Sequence, residues 1–222
     1  MGKLELWNDF CHKHNVLESG VPLFDTVGQQ VMTLPFGSDQ RKVLKRNPLM
    51  EALVIQEVNK VLQDYDEGTG HLDGLIYMMY WVQEGAVVPL YIGKSEKIGR
   101  GGGNLSINIK AIEKNPNFCR WGYKYSYHLG NLSAVVCSGH DESKQIRNYG
   151  KWANALFESF PAERPVLKKQ TYFWMSAWSH EWTGVWKEFG ATSLTFLEYL
   201  LIGLASDVFG DVVLNNEGVN RK

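Results

Sequence analysis

The sequence predicts a chain of mixed α and β structure, and three stretches carry that expectation. Residues 75–82 and 86–92 are two β-type runs on either side of Gln83-Glu84-Gly85, and they read as a hairpin. Leu49, Met50, Leu53, Val54, Val58, Val61, Leu62 and Tyr65 recur at helical spacing and form one apolar stripe. Near the end of the chain Leu194, Leu197, Leu201, Ile202 and Ala205 define a second helix over about 193–208.

The 222 residues suit one domain with elaborations, or one and a half, and can bury a real core. No apolar run reaches the roughly 18 residues of a membrane helix. Met1-Gly2-Lys3-Leu4-Glu5 lacks the apolar centre of a signal peptide. Cys11, Cys119 and Cys137 form no CxxC pair, which suits a reducing cytoplasm and argues against a structural zinc site. A cytoplasmic protein with no membrane partner is expected. The net charge of −1 is not the basic footprint usual in nucleic-acid binders. Its distribution is uneven, with seven bases and two acids in residues 94–124, and five acids without Lys or Arg in residues 62–84. A basic face of that kind can grip phosphates. A surface of alternating solvated charges fits the same residues.

Taken in order, Trp7 and Phe10 suit a short helix, and residues 19–40, rich in glycine, proline and small polar residues, read as loop with at most one strand. Arg41, Lys42, Lys45 and Arg46 form a basic cluster that is either DNA-facing or simply solvated. Asn47-Pro48 opens the first clear helix, with asparagine as N-cap and proline in the first turn. In the hairpin, a three-residue loop with Gly85 in its last, left-handed position places Val82 opposite Ala86 and Tyr77 opposite Tyr91. Directly opposed residues share a face, with Cβ atoms about 5 Å apart. Two phenols, Lys94 and Arg100 are then gathered at one end; a cross-strand pair that only packs is the plain alternative. Gly99-Arg100-Gly101-Gly102-Gly103 is too flexible for helix interior, so Arg100 is expected on a loop ahead of a helix starting near Leu105.

Residues 121–129 alternate aromatic with small or polar residues, and Ser133–Cys137 is β-rich, so one or two further strands are expected there. His128 lies among them as a candidate acid or base, because histidine titrates near neutrality. Asp141 caps an expected helix to about Phe160, and residues 165–178 read as a strand. Trp174, Trp178, Trp182 and Trp186 suit a packed core first and a binding surface second. Glu198 sits among the leucines of the last helix, and burying a lone carboxylate costs several kcal/mol, so a partner or a metal is expected. Thr195-x-x-Glu198 has capping-box spacing, but Thr192-Ser193 offers an earlier cap that makes Glu198 an interior residue. Residues 212–214 read as a short strand entering a turn at Asn215, where the asparagine has a place even without chemistry.

Leu75-Ile76-Tyr77 and Tyr91-Ile92-Gly93 resemble the two halves of the signature of the GIY-YIG nucleases. Members of that family carry an arginine soon after the second half, a glutamate on a later helix and an asparagine near the end; Arg100, Glu198 and Asn215 stand in those places. Two departures are visible: Leu75 stands where the family has glycine, and 13 residues separate the tyrosines. The resemblance implies an α+β fold with a small antiparallel β-sheet flanked by helices. Here it would carry an N-terminal helical extension over 1–70 and a nuclease-like domain over 71–222 with an insertion at about 104–190. It further implies a stand-alone, restriction-like DNA endonuclease that acts on double-stranded DNA. In that picture Glu198 holds Mg2+ or Mn2+, Arg100 clamps phosphate oxygens, and Tyr77 is the base with Tyr91 hydrogen-bonded nearby. A free tyrosine, with a pKa of about 10, is a poor base, so Lys94 or the metal has to favour the phenolate; Lys94 could instead contact phosphate. Asn215 would orient a ligand or the backbone of the site. A palindromic target would call for a homodimer. The rival readings are a catalytically idle DNA-binding module of the same fold and an interaction domain built on the tryptophan-rich half.

Overall fold

The structure, a computed structural model, describes residues 2–99, 101–110 and 128–219. Its helices are α1 (Lys3–Lys13), α2 (Val16–Ser19), α3 (Pro48–Asp66), α4 (Leu129–Val136), α5 (Arg147–Leu156) and α6 (Leu194–Phe209). Its strands are β1 (Val21–Pro22), β2 (Thr26–Val27), β3 (Gln30–Val31), β4 (Thr33–Phe36), β5 (Arg41–Leu44), β6 (Leu72–Gln83), β7 (Ala86–Glu96) and β8 (Tyr172–Ser179). A four-stranded antiparallel sheet in the order β1-β8-β6-β7 organises them. The fold is α+β. Among the described residues no helix is long and apolar enough to cross a membrane.

β6 is the spine because both of its faces are covered. Successive side chains of a strand point to opposite faces. Leu75, Tyr77, Met79 and Trp81 enter one core with Val54, Val58 and Val61 of α3, Leu132 of α4 and Trp152 of α5. Ile76, Met78 and Tyr80 enter a second core with Trp7 and Phe10 of α1 and Leu197 and Leu201 of α6. Two-sided burial is why residues 75–81 read as a continuous apolar run rather than an alternation. Each fully buried large apolar side chain contributes about 1.5–3 kcal/mol, so removal of either helical layer would strip the sheet of one core.

Capping follows the sequence closely at α3. Asn47 Oδ1 accepts from the Leu49 N–H at 2.9 Å, and Pro48 occupies the first turn, where its missing N–H has no partner to lose. Further along, Glu57 Oε2 accepts from the Ala177 N–H at 2.9 Å, covering the edge of β8 that β1 is too short to pair. Trp174 and Trp178 are buried, as expected of a core, while Trp182 stays exposed. The Trp178 indole N–H donates to the Thr192 carbonyl at 2.8 Å, which satisfies the polar edge of a buried ring.

The hairpin register differs from the expected one. Its loop has two residues rather than three: Gln83 pairs with Ala86, and Glu84 and Gly85 take φ of 51° and 76°. Two left-handed residues make the turn whose twist matches the flanking strands. A one-residue slip of this kind would send the two tyrosines to opposite faces. A bulge then restores them: Tyr80 pairs with Pro89 and Met79 with Tyr91, leaving Leu90 as the extra residue. Tyr77 ends up across from Gly93, and Tyr91 two positions along the same face.

Other expectations are corrected too. Of the stretch read as a strand at 133–137, residues 133–136 belong to α4, which is buried all round, and only Cys137 is extended, bridging to Ala162. A short, wholly apolar run gives the same pattern in a buried helix and a buried strand. The strand expected over 165–178 begins only at Tyr172, and Val166 and Leu167 make isolated bridges to Gln30 and Phe157. The helix expected from Asp141 is divided, because Gln145 and Ile146 are extended between a 3-10 turn at Glu142–Lys144 and α5. Asp141 does cap, accepting from the Ser143 N–H at 2.7 Å. Residues 212–214 form no strand and contribute one ladder bond, from the Leu214 N–H to the Leu90 carbonyl at 2.7 Å. Residues 121–127, also read as strand, lie outside the described residues. The first 70 residues place α1 and α3 on opposite faces of the sheet and add β1 to it. Residues 104–190 supply β8, the neighbour of β6.

Candidate active site

On one face of the hairpin the aromatic residues close up. The Tyr77 ring stacks on Phe173 with centroids 6.1 Å apart and lies 6.5 Å from the Tyr91 ring. Tyr91 is held between His128 and Trp152, each with its ring centroid 5.0 Å away. Tyr77 is 1% exposed, whereas Tyr91 is half-buried. His128 takes a φ of 61° at the start of α4, and its Nδ1 lies 2.7 Å from the Tyr149 hydroxyl. Burial pulls the His128 imidazole down to about 3, because a low-dielectric surrounding disfavours the charged form. The candidate acid or base at 128 therefore stands beside Tyr91 as a neutral ring at pH 7.

The outer edge of β7 is built differently. Leu90, Ile92 and Lys94 turn their backbone polar groups away from β6, and three residues from the end of the chain meet them. The Leu90 carbonyl takes the Leu214 N–H. Asn215 bonds Ile92 twice: its Oδ1 accepts from the Ile92 N–H at 3.0 Å, and its Nδ2 donates to the Ile92 carbonyl at 2.8 Å. The Glu198 carboxylate lies close enough to the Lys94 N–H to be favoured by it. An edge strand left bare would template aggregation, so this covering has structural value whatever its chemistry. Ser193 is the N-cap of α6, so Glu198 falls in the second turn, inside the helix as expected, and not at a capping-box position.

Burial raises the Glu198 carboxyl above its ordinary range; the Lys94 ammonium and N–H oppose this, while Glu96 and Glu217 add to it. Lys94 Nζ is ion-paired with Glu96 Oε1, which also accepts from the Thr195 hydroxyl at 3.0 Å. A desolvated carboxylate with two further acids close by and one ammonium among them is a setting that a cation would relieve. Magnesium keeps several waters and takes one or two carboxylates, so Glu198 fits as a single protein ligand, with Glu96 and Glu217 adding field. Among the described residues no group of three or more His, Cys, Asp or Glu side chains could hold a metal on its own.

The expected site residues thus fall into two groups that share one strand. Tyr77, Tyr91 and His128 gather on one face; Lys94, Glu198 and Asn215 gather at the outer edge and the other face. Tyr91 and Glu198 approach β7 from its two sides. Arg100 lies outside the described residues. The basic cluster ahead of α3 is largely neutralised, with Arg41 on Asp39, Lys42 on Glu163, Lys45 on Asp25 and Arg46 on Glu51. Glu96 and Thr195 were not among the expected residues. Glu96 had a signal, since it follows Lys94 by two positions on a strand and so shares its face; Thr195 had none apart from lying one turn before Glu198.

Comparison with family models, with curated proteins and with solved structures finds no match for this chain.

Proposed function

We propose that this chain is a metal-dependent DNA endonuclease of the GIY-YIG kind, hydrolysing phosphodiester bonds in double-stranded DNA. The observation that supports it most is the convergence of Tyr91, Lys94, Glu198 and Asn215 on a few residues of β7, with Tyr77 packed over Gly93 beside them. Of these, Tyr77, Tyr91, Glu198 and Asn215 are residues that the resemblance to the family singled out, and they come from distant parts of the chain.

The roles follow from the surroundings. Tyr91 is the less enclosed of the two phenols, and in its deprotonated form it would take the proton of the attacking water. Tyr77, enclosed at 1% exposure, fixes the Tyr91 side of the hairpin rather than receiving that proton. Lys94, on the opposite face from the phenols, offers its ammonium to a phosphate oxygen, exchanging its present bond to Glu96. Arg100 would clamp the non-bridging oxygens with its fork of donors. Asn215 holds Ile92 in place and with it the spacing between Tyr91 and Lys94. Glu198 would hold Mg2+ or Mn2+, which when bound supplies Lewis-acid stabilisation of the developing charge and positions a water. A homodimer is expected where the target is palindromic.

The test is incubation of supercoiled and linear DNA of several sequences with the protein in Mg2+ or Mn2+, with and without a chelator. The reading expects nicked or linear products that disappear on chelation. Binding without cleavage in every metal would favour the idle DNA-binding module, and no binding to DNA would favour the interaction domain.

A further inference from the structure

Three strand ends and a helix start meet next to Glu198. Asp73 near the start of β6, Glu96 and Lys97 at the end of β7, His180 just past β8, and Ser193 to Thr195 at the start of α6 surround a cavity of about 400 Å³. Asp73 does two things there. Its Oδ2 accepts from the Leu194 N–H at 3.0 Å, which anchors the carboxylate at a helix N-terminus. Its Oδ1 lies 3.0 Å from His180 Nδ1. A carboxylate on Nδ1 fixes the tautomer and orientation of an imidazole and leaves Nε2 to exchange a proton. The His180 side chain is 46% exposed, so that nitrogen is within reach of a ligand.

The cavity lies within one helical turn of the proposed metal ligand. Thr195 and Glu198 are three residues apart on α6, a rise of about 4.5 Å, and Thr195 is bonded to Glu96, which raises Glu198 in turn. The other charged groups that line the cavity are already engaged: Lys97 with Asp64, and Glu96 with Lys94 and the Thr195 hydroxyl. The Asp73–His180 pair has no part in the roles assigned above.

We propose that His180, oriented by Asp73, is the general acid that protonates the leaving oxygen in the hydrolysis proposed above, on which this inference rests. As the water oxygen bonds to phosphorus, the bond from phosphorus to the leaving nucleoside oxygen breaks. That oxygen departs with the electron pair and takes the proton from Nε2 of the imidazolium. The products are a phosphate monoester and a free hydroxyl, and the neutral imidazole regains its proton from solvent.

The experiment compares cleavage of two duplexes, one with the natural oxygen and one with a bridging sulfur at the leaving position, whose thiolate departs without protonation. General acid catalysis contributes about 10²–10⁴-fold. His180→Ala is expected to slow the oxygen substrate by that order and to cut the sulfur substrate at nearly the wild-type rate. His180→Asn, which keeps a polar contact to Asp73, should show the same split, and Asp73→Asn a smaller one. Equal losses on both substrates would mark a structural role and overturn the inference, as would an undiminished rate on the oxygen substrate while wild type cleaves. A wild-type protein that cleaves neither duplex would instead remove the hydrolase reading, and the inference with it.

Discussion

Gly93 lies directly across the ladder from Tyr77, and a Cβ at position 93 would stand 2.7 Å from Cε2, Cζ and Oη of the Tyr77 ring. The absent side chain is the space that the phenol occupies. That gives a physical reason for a glycine two residues after the second tyrosine: the ring of the first tyrosine lies flat over the backbone of the neighbouring strand.

Gly93→Ala therefore overpacks the hairpin and is expected to cost about 1–3 kcal/mol, read as a lower urea midpoint. Combining it with Tyr77→Leu should cost less than the sum of the two single changes, because the clash is removed. Additive losses would mean that Tyr77 and Gly93 are not in contact.

Glu198 gives a prediction on stability that is independent of cleavage. Its carboxyl is raised by burial, with Lys94 opposing and Glu96 and Glu217 adding. A raised folded value favours the protonated state, so its stabilising contribution is present at low pH and lost as pH rises through that value. Above that value the ionised side chain is a net cost to the metal-free protein. Glu198→Gln should melt at or above the wild-type temperature without metal, and Mg2+ should raise the wild type but not the variant. Thermal melts with and without Mg2+ check both halves.

The Asp64–Lys97 pair anchors the end of α3 to the end of β7, with side chains 6% and 11% exposed. Burial pushes Asp64 up, but Lys97, the Thr69 hydroxyl and the Leu72 and His71 N–H groups outweigh it and hold the carboxyl at about 2. Its contribution is complete above the ordinary carboxylate value and is lost as pH falls through about 2. Lys97→Met alone strands a buried charge and should cost about 3–5 kcal/mol, most of it recovered in Lys97→Met with Asp64→Leu. Chemical denaturation of the single and double variants measures the difference.

Two histidines set a second pH window. Burial lowers His128 to about 3, and burial with the Lys13 ammonium lowers His14 to about 4. The unfolded chain takes up protons on both near pH 6.5, while the folded chain does not. Their stability is therefore present above about 6.5 and lost as pH falls towards those lower values, with a slope for His128 of up to about 1.4 kcal/mol per pH unit. His128→Asn, whose side chain tolerates the left-handed backbone there, should flatten that slope in urea titrations between pH 6.5 and 4.5.

Much of this arrangement was legible before the fold was known, and the failures have distinct causes. Asn47-Pro48 announced α3 because capping is local chemistry, and the leucines around Glu198 announced α6 because a helix repeats its core face. The register of the hairpin was not legible. Glu84 occupies a left-handed position usually given to asparagine or glycine, and nothing marks Leu90 as a bulge. Two errors of one residue cancel, which is why Tyr77 and Tyr91 still share a face. α4 was hidden because an apolar run buried on every side has no periodicity to read. The Asp73–His180 bond spans 107 positions, and only the folded sheet brings those two ends together.

In the proposed hydrolysis Glu198 serves catalysis as well as covering the edge of β7. The direct measurement is the single-turnover rate of plasmid nicking by wild type and Glu198→Gln in saturating Mg2+, with DNA binding measured on the same samples. Glu198→Gln is expected to lose roughly 10²–10³-fold or more in rate with binding retained. Cleavage by Glu198→Gln at the wild-type rate would contradict it.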